Sequence, residues 1–70
     1  MRYAIVIENA GGNYSAYVPD LPGCVSTGET VLQVEANIRQ AINFHLERLK
    51  LDGQSIPPAT SLVEYIDVAA

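Results

Sequence analysis

Basic residues are scarce in this chain: four Lys and Arg stand against eight Asp and Glu, for a formal charge of −4 over 70 residues. A surface of that sign repels phosphate and attracts a basic partner, so direct nucleic-acid binding is not expected. Cysteine is scarcer still. The lone Cys24 cannot form an internal disulfide, and the N-terminal segment lacks the basic region, apolar core and small-residue cleavage site of a signal peptide; a cytoplasmic location is expected. Long apolar runs are missing too, because the longest, Ala4 to Ile7, falls far short of the roughly 20 residues needed to span a bilayer. Charged residues make up only 17% of the chain, while its 49% hydrophobic content excludes a disordered class. A chain of this size has a marginal core of its own, so surplus apolar surface predicts contact with another chain, as a homo-dimer or tetramer.

Reactive chemistry is equally thin. Gly11-Gly12 sits in a turn signal and does not open a helix, so it is no phosphate cradle. One Cys, one His and scattered acids show no zinc or calcium spacing, and no metal or other cofactor is expected. Paired-metal nuclease chemistry needs clustered carboxylates, whereas Glu8, Asp20, Glu64 and Asp67 fall at strand ends without a motif that gathers them. Their default role is solvation, with Asp20 bonding turn amides. Cys24 and His45 invite a nucleophile-and-base reading. No clear third group orients the His, and packing is the simpler role for both: Cys24 as a small buried hydrophobe, His45 within an apolar helix stripe. Tyr3, Tyr14, Tyr17 and Tyr65 lack the basic neighbours that base stacking on a sheet requires, and packing or an interface explains them better. The chain is not expected to be an enzyme.

What the sequence does contain is one ordered string. Tyr17-Val18-Pro19-Asp20-Leu21-Pro22-Gly23-Cys24 links a strand to the next element through closely spaced Pro and Gly, and Leu21-Pro22-Gly23-Cys24 has the Pro at i+1 and Gly at i+2 of a type II turn. Such a shaped loop is a candidate partner-binding or structural site, carried by Tyr17, Pro19, Asp20, Leu21, Pro22, Gly23 and Cys24.

Around it the pattern predicts an α+β domain of β-β-β-α-β order. Arg2 to Glu8 reads as a central strand, apolar at both alternating sets; Tyr14 to Val18 reads as the return strand of a hairpin, and Cys24 to Thr27 as a third. Thr30 is a good N-cap with Gln33 three residues on, so a helix should begin at Val31, present Val34, Ile38, Ala41 and Ile42 with Val31, His45 and Leu49 on one face, and run to about Leu51 before Gly53. Glu35 and Arg39 are spaced for an ion pair. After a stiff Ser55-Ile56-Pro57-Pro58 crossing, Ser61 to Val68 alternates as a fourth strand. The expected sheet order is 3-2-1-4, strand four parallel to strand one, with the helix on one face and the other face uncovered. One domain over 1–70 is expected, with no repeat and no linker.

The string Tyr17, Pro19, Asp20, Leu21, Pro22, Gly23, Cys24, followed by Gly28, Glu29, Thr30 and the helix residue His45, resembles the HicB-like antitoxin family across roughly Tyr3 to Val68. Val34, where the family often has an acidic residue, is a departure. The resemblance implies a partial RNase H-like fold and the antitoxin half of a type II toxin–antitoxin pair, binding HicA, a small basic toxin that cleaves messenger RNA. It also implies that DNA contacts in this family come from a further domain, which is not expected here. Two other readings remain open: an orphan homo-oligomer without a toxin, and a metal-dependent nuclease on an RNase H-like sheet.

Overall fold

The computed structural model describes residues 1–69 and arranges them as three short strands and a helix: β1 (Val6–Asn9), β2 (Tyr14–Tyr17), β3 (Val25–Gly28) and α1 (Val31–Leu51). The Asn9 side chain closes the first hairpin, its Oδ1 accepting from the Gly11 N–H at 3.0 Å while the Ala10 N–H donates to the Asn13 carbonyl at 2.8 Å. Both strand pairs are antiparallel, in the order β1-β2-β3, with Val6 opposite Tyr17 and Tyr17 opposite Val25. Alternation then puts Ile7 and Ala16 on the face toward the helix, and Val6, Tyr17 and Val25 on the opposite face.

Helix α1 forms where its capping chemistry says it should. Thr30 is extended and its Oγ1 accepts from the Gln33 N–H at 3.0 Å. At the other end the Gly53 N–H donates to Lys50 O at 3.1 Å and the Gln54 N–H to Leu49 O at 2.9 Å, with Gly53 at φ 68°. That is a Schellman ending, and Arg48 and Lys50 sit in the last turn near its free carbonyls. The expected Glu35–Arg39 pair is present at 3.8 Å on the exposed surface, where it adds little to stability.

The core gathers Ala16, Val18, Leu21 and Cys24 from the sheet and its loop against Val34 and Ile38 of α1. Tyr3, Ile5, Ile7, Tyr14, Ala41, Ile42 and Leu46 pack around it. Leu46 was not among the residues expected on the buried face, and Val31 of that set, at the first helical position, is exposed. His45 and Leu49 of the same set are half-buried and outside the core cluster. The cause is length: four-residue strands reach about 13 Å, whereas a 21-residue helix runs about 31 Å, so the second half of α1 overruns the sheet. Near its start the contact is tight. A Cβ at Gly28 would stand 2.6 Å from the Val34 amide nitrogen, so β3 can end against the first helical turn only as glycine. The Asn37 Nδ2 also donates to the Thr27 carbonyl at 2.8 Å, tying the helix to the same strand.

Several expectations need correction. The first strand pairs only from Val6, not from Arg2, because β2 stops at Tyr17 and Pro19 beyond it cannot continue a ladder. The third begins at Val25 rather than Cys24, whose side chain is held in the core instead. The fourth strand over Ser61 to Val68 is not formed: the sheet has three strands, and no strand is assigned beyond β3 among the described residues. The order 3-2-1-4 is not formed, and the partial RNase H-like fold that the resemblance implies has no support in this arrangement. Leu62 and Tyr65 are instead more than nine-tenths exposed, with Ile66 and Val68 close behind. An alternating pattern specifies extended backbone and two faces; which edge it pairs with is a tertiary matter. The expected uncovered face is present in Val6, Tyr17 and Val25, without a fourth strand to extend it.

Candidate functional site

The loop between β2 and β3 is built from three backbone hydrogen bonds. The Leu21 N–H donates to Val18 O at 3.1 Å, the Cys24 N–H to Leu21 O at 3.1 Å, and the Val18 N–H to Cys24 O at 3.2 Å, so two consecutive turns close on themselves. Each turn has a proline in its second position, and Gly23 sits at φ 83°, the left-handed value that a type II turn demands at that place. The turn read from the sequence is therefore the turn that forms.

The seven loop residues divide by side. Leu21 is fully buried and Cys24 nearly so, which makes them the plug that fastens the loop to the core. Burial pushes the Cys24 thiol pKa up, away from thiolate, so its environment is that of a small hydrophobe and not of a nucleophile. Pro19, Pro22 and Gly23 face solvent, as does Tyr17, whose ring is 41% exposed. Beside Tyr17 in the register stands Val25, 65% exposed, so an aromatic and a branched aliphatic side chain form an apolar crest under two prolines. The sequence marks Val25 only as part of a strand; the Val18 N–H bond to the Cys24 carbonyl is what sets the next pair, Tyr17 and Val25, opposite each other.

Asp20 does something other than bond its own turn. Its Oδ2 accepts from the backbone N–H groups of Thr60 and Ser61, both at 2.9 Å, and its Oδ1 accepts from the Ser61 hydroxyl at 2.8 Å and the Thr60 hydroxyl at 3.2 Å. Four donors converge on one carboxylate. Its pKa is lowered chiefly by the Ser61 backbone and hydroxyl bonds, with partial desolvation opposing and the Thr60 pair adding to the shift. The Tyr3 hydroxyl donates to the Pro57 carbonyl, a second tie on the same stretch of chain. The Thr60-Ser61 pair was legible as two hydroxyls in a row, yet nothing local marks a carboxylate forty positions earlier as their acceptor.

Among the described residues no three of His, Cys, Asp and Glu come together as a cation site, and no helix is long and apolar enough to cross a membrane. His45 is half-buried on α1.

Residues 3–69 match the family described as HicB-like antitoxin of bacterial toxin–antitoxin systems, and the chain belongs to that family. It is 37% identical over 67 residues to a 14.9 kDa protein from the rep-hol intergenic region of Haemophilus phage HP1, a match covering 96% of this chain and 50% of the phage protein. The chain thus spans about half the length of that relative. It is also 38% identical to a UPF0150 protein of Thermoplasma acidophilum over 58 residues, 81% of this chain and 84% of the relative. A UPF0150 protein of Synechocystis is 31% identical over 68 residues, 96% of this chain and 86% of the relative. No solved structure matches the chain.

Proposed function

We propose that this chain is an antitoxin that binds a HicA-like, messenger-RNA-cleaving toxin and occludes its RNA-binding surface and catalytic His. The reading is carried by the family match over residues 3–69. Two properties of the chain support the particular partner. A net charge of −4 complements a small basic protein whose own substrate is a polyanion, so the antitoxin competes electrostatically for the surface that RNA would use. The crest of Tyr17 and Val25 beside Pro19 and Pro22 supplies an apolar, preformed contact of the kind that anchors interfaces, at little ordering cost because the turns are already closed.

In this mechanism the chain catalyses nothing. It acts as a lid in the cytoplasm, holding RNA away from the toxin by volume and by like charge. Residues 1–70 act as a single HicB-like domain in this reading.

Co-expression with the small basic protein encoded beside it is the direct test. Growth arrest by that neighbour alone, relief by this chain, and co-purification of the two are expected, with Tyr17→Asp weakening both relief and co-purification while the helical circular dichroism is retained. A neighbour that arrests growth and goes on cleaving messenger RNA in the presence of this chain would sink the proposal. If no adjacent reading frame encodes a basic protein, the orphan homo-oligomer reading takes its place. The nuclease reading has no ligand set among the described residues to argue from.

A further inference from the structure

One edge of the sheet and one stretch of chain are both left without a partner. Among the described residues, strand β1 has β2 on one side and no neighbour on the other. Alongside it, helix α1 lies over β3 and β2, so a groove of about 480 Å³ opens between residues 1–5, which lead into β1, and the helix. Tyr3, Ile5, Ile38 and Ile42 form its apolar lining, with Glu35 and Arg39 at its rim. An unpaired edge beside an apolar trough invites a further strand.

Residues 62–68 have the composition of such a strand. Leu62, Ile66 and Val68 share one alternate face with Glu64 between them, while Val63, Tyr65 and Asp67 form the other. Leu62, Tyr65, Ile66 and Val68 are between 78% and 94% exposed, so this stretch does not lie on its own chain. Nor does it leave at random. The four bonds from Thr60 and Ser61 to Asp20, and the Tyr3 bond to Pro57, hold its root beside the Tyr17 end of the sheet, and Pro57-Pro58 stiffens the approach. A strand whose root is already held loses less freedom on docking.

We propose that residues 62–68 of one copy of this chain pair along the open β1 edge of a second copy, with Leu62, Ile66 and Val68 seated in the groove lined by Tyr3, Ile5, Ile38 and Ile42. The exchange is reciprocal, so two copies related by a two-fold axis each cover the other's edge and bury the other's exposed side chains. Glu64, the one charge in the inserted face, meets a rim that carries Arg39 together with its own partner Glu35, so this position adds little and the apolar side chains carry the docking. The sheet then gains its fourth strand from the partner, which accounts for a segment that alternates like a strand yet pairs with nothing in its own chain. This inference stands apart from the toxin reading, because it concerns the chain alone.

The test uses the purified full chain without any partner. Sedimentation equilibrium is expected to give a dimer, and a mixture of isotope-labelled and unlabelled chains should give intermolecular NOEs between the Ile66 and Val68 methyls and the side chains of Ile5 and Ile42. Ile66→Asp should raise the dimer dissociation constant roughly a hundredfold or more, because the reciprocal exchange loses one apolar anchor from each of the two copies. Phe44→Asp, on an exposed part of α1 outside the groove, should leave it unchanged. Because Ile66 is outside the core, the helical circular dichroism of Ile66→Asp should match that of the parent. A monomer at high micromolar concentration, a dimer indifferent to Ile66→Asp, or tail-to-groove NOEs confined to one chain would each overturn the exchange.

Discussion

Asp20 accepts hydrogen bonds from both the backbone N–H and the hydroxyl of Ser61, at 2.9 and 2.8 Å, across 41 positions of sequence. The two residues join the proline-braced loop to the stretch that follows the helix, and the carboxylate's other bonds, to Thr60, strengthen the same joint. Because the loop's buried plug is Leu21 and Cys24 rather than Asp20, the joint controls where the C-terminal segment lies without being part of the core.

Replacing Asp20 by Ala should therefore free the segment and spare the domain. The expected result is faster amide hydrogen exchange at Thr60 and Ser61, with exchange at Val34 and Ile38 left as it was. Equal acceleration at the helix sites would make Asp20 a determinant of global stability and contradict the division drawn here.

The same joint should respond to acid. The folded-state pKa of Asp20 is depressed, so its contribution is complete above the ordinary carboxylate value of about 3.9 and is lost as pH falls through the lower folded value. The Thr60 and Ser61 amide resonances should shift together with the Asp20 carboxyl as that group titrates, at a pH below that of a free aspartate. Amides that titrate at or above the free value would remove the bonds from the argument.

Ile38 is 1% exposed and Phe44, six residues further along the same helix, is 69% exposed. Ile38→Ala should cost about 2–5 kcal/mol in chemical denaturation, and Phe44→Ala, in the chain as a monomer, no more than about 0.5 kcal/mol. Comparable losses would mean that the overrunning half of α1 is covered in solution.

Gly28→Ala has a different physical origin. No cavity is made; instead the new methyl meets the Val34 amide at 2.6 Å and the Val34 Cα at 2.8 Å, backbone atoms that cannot rotate aside. A cost of about 1–3 kcal/mol is expected from this overpacking, measurable as a drop in denaturation midpoint with an unchanged slope. A neutral outcome would show that β3 can slide away from the helix freely.

How far these features could be read in advance depends on how local their causes are. Thr30, Gln33 and Gly53 act within a turn or two of the backbone, so the span Val31–Leu51 followed from their order alone, as did the turn at Leu21-Pro22-Gly23-Cys24. The loop residues with family resemblance were found by the same route, and the comparison over residues 3–69 places the chain in the family they suggested. The split between plug and crest was harder, because Leu21 and Tyr17 differ in which way the folded loop turns them and not in any pattern of neighbours.

By itself, then, the amino-acid order determined the helix with its two ends, the proline turns, the hairpin, and the negative sign of the surface. Tertiary structure alone decided that Asp20 reaches Thr60 and Ser61, that Gly28 touches Val34, and that residues 61–69 do not close the sheet of their own chain. The reason is physical: capping and turn preferences are short-range energies resolved within a few residues, whereas an edge, a distant acceptor or a backbone contact exists only after remote segments have been brought together, and an alternating pattern is satisfied equally by any edge that will take it.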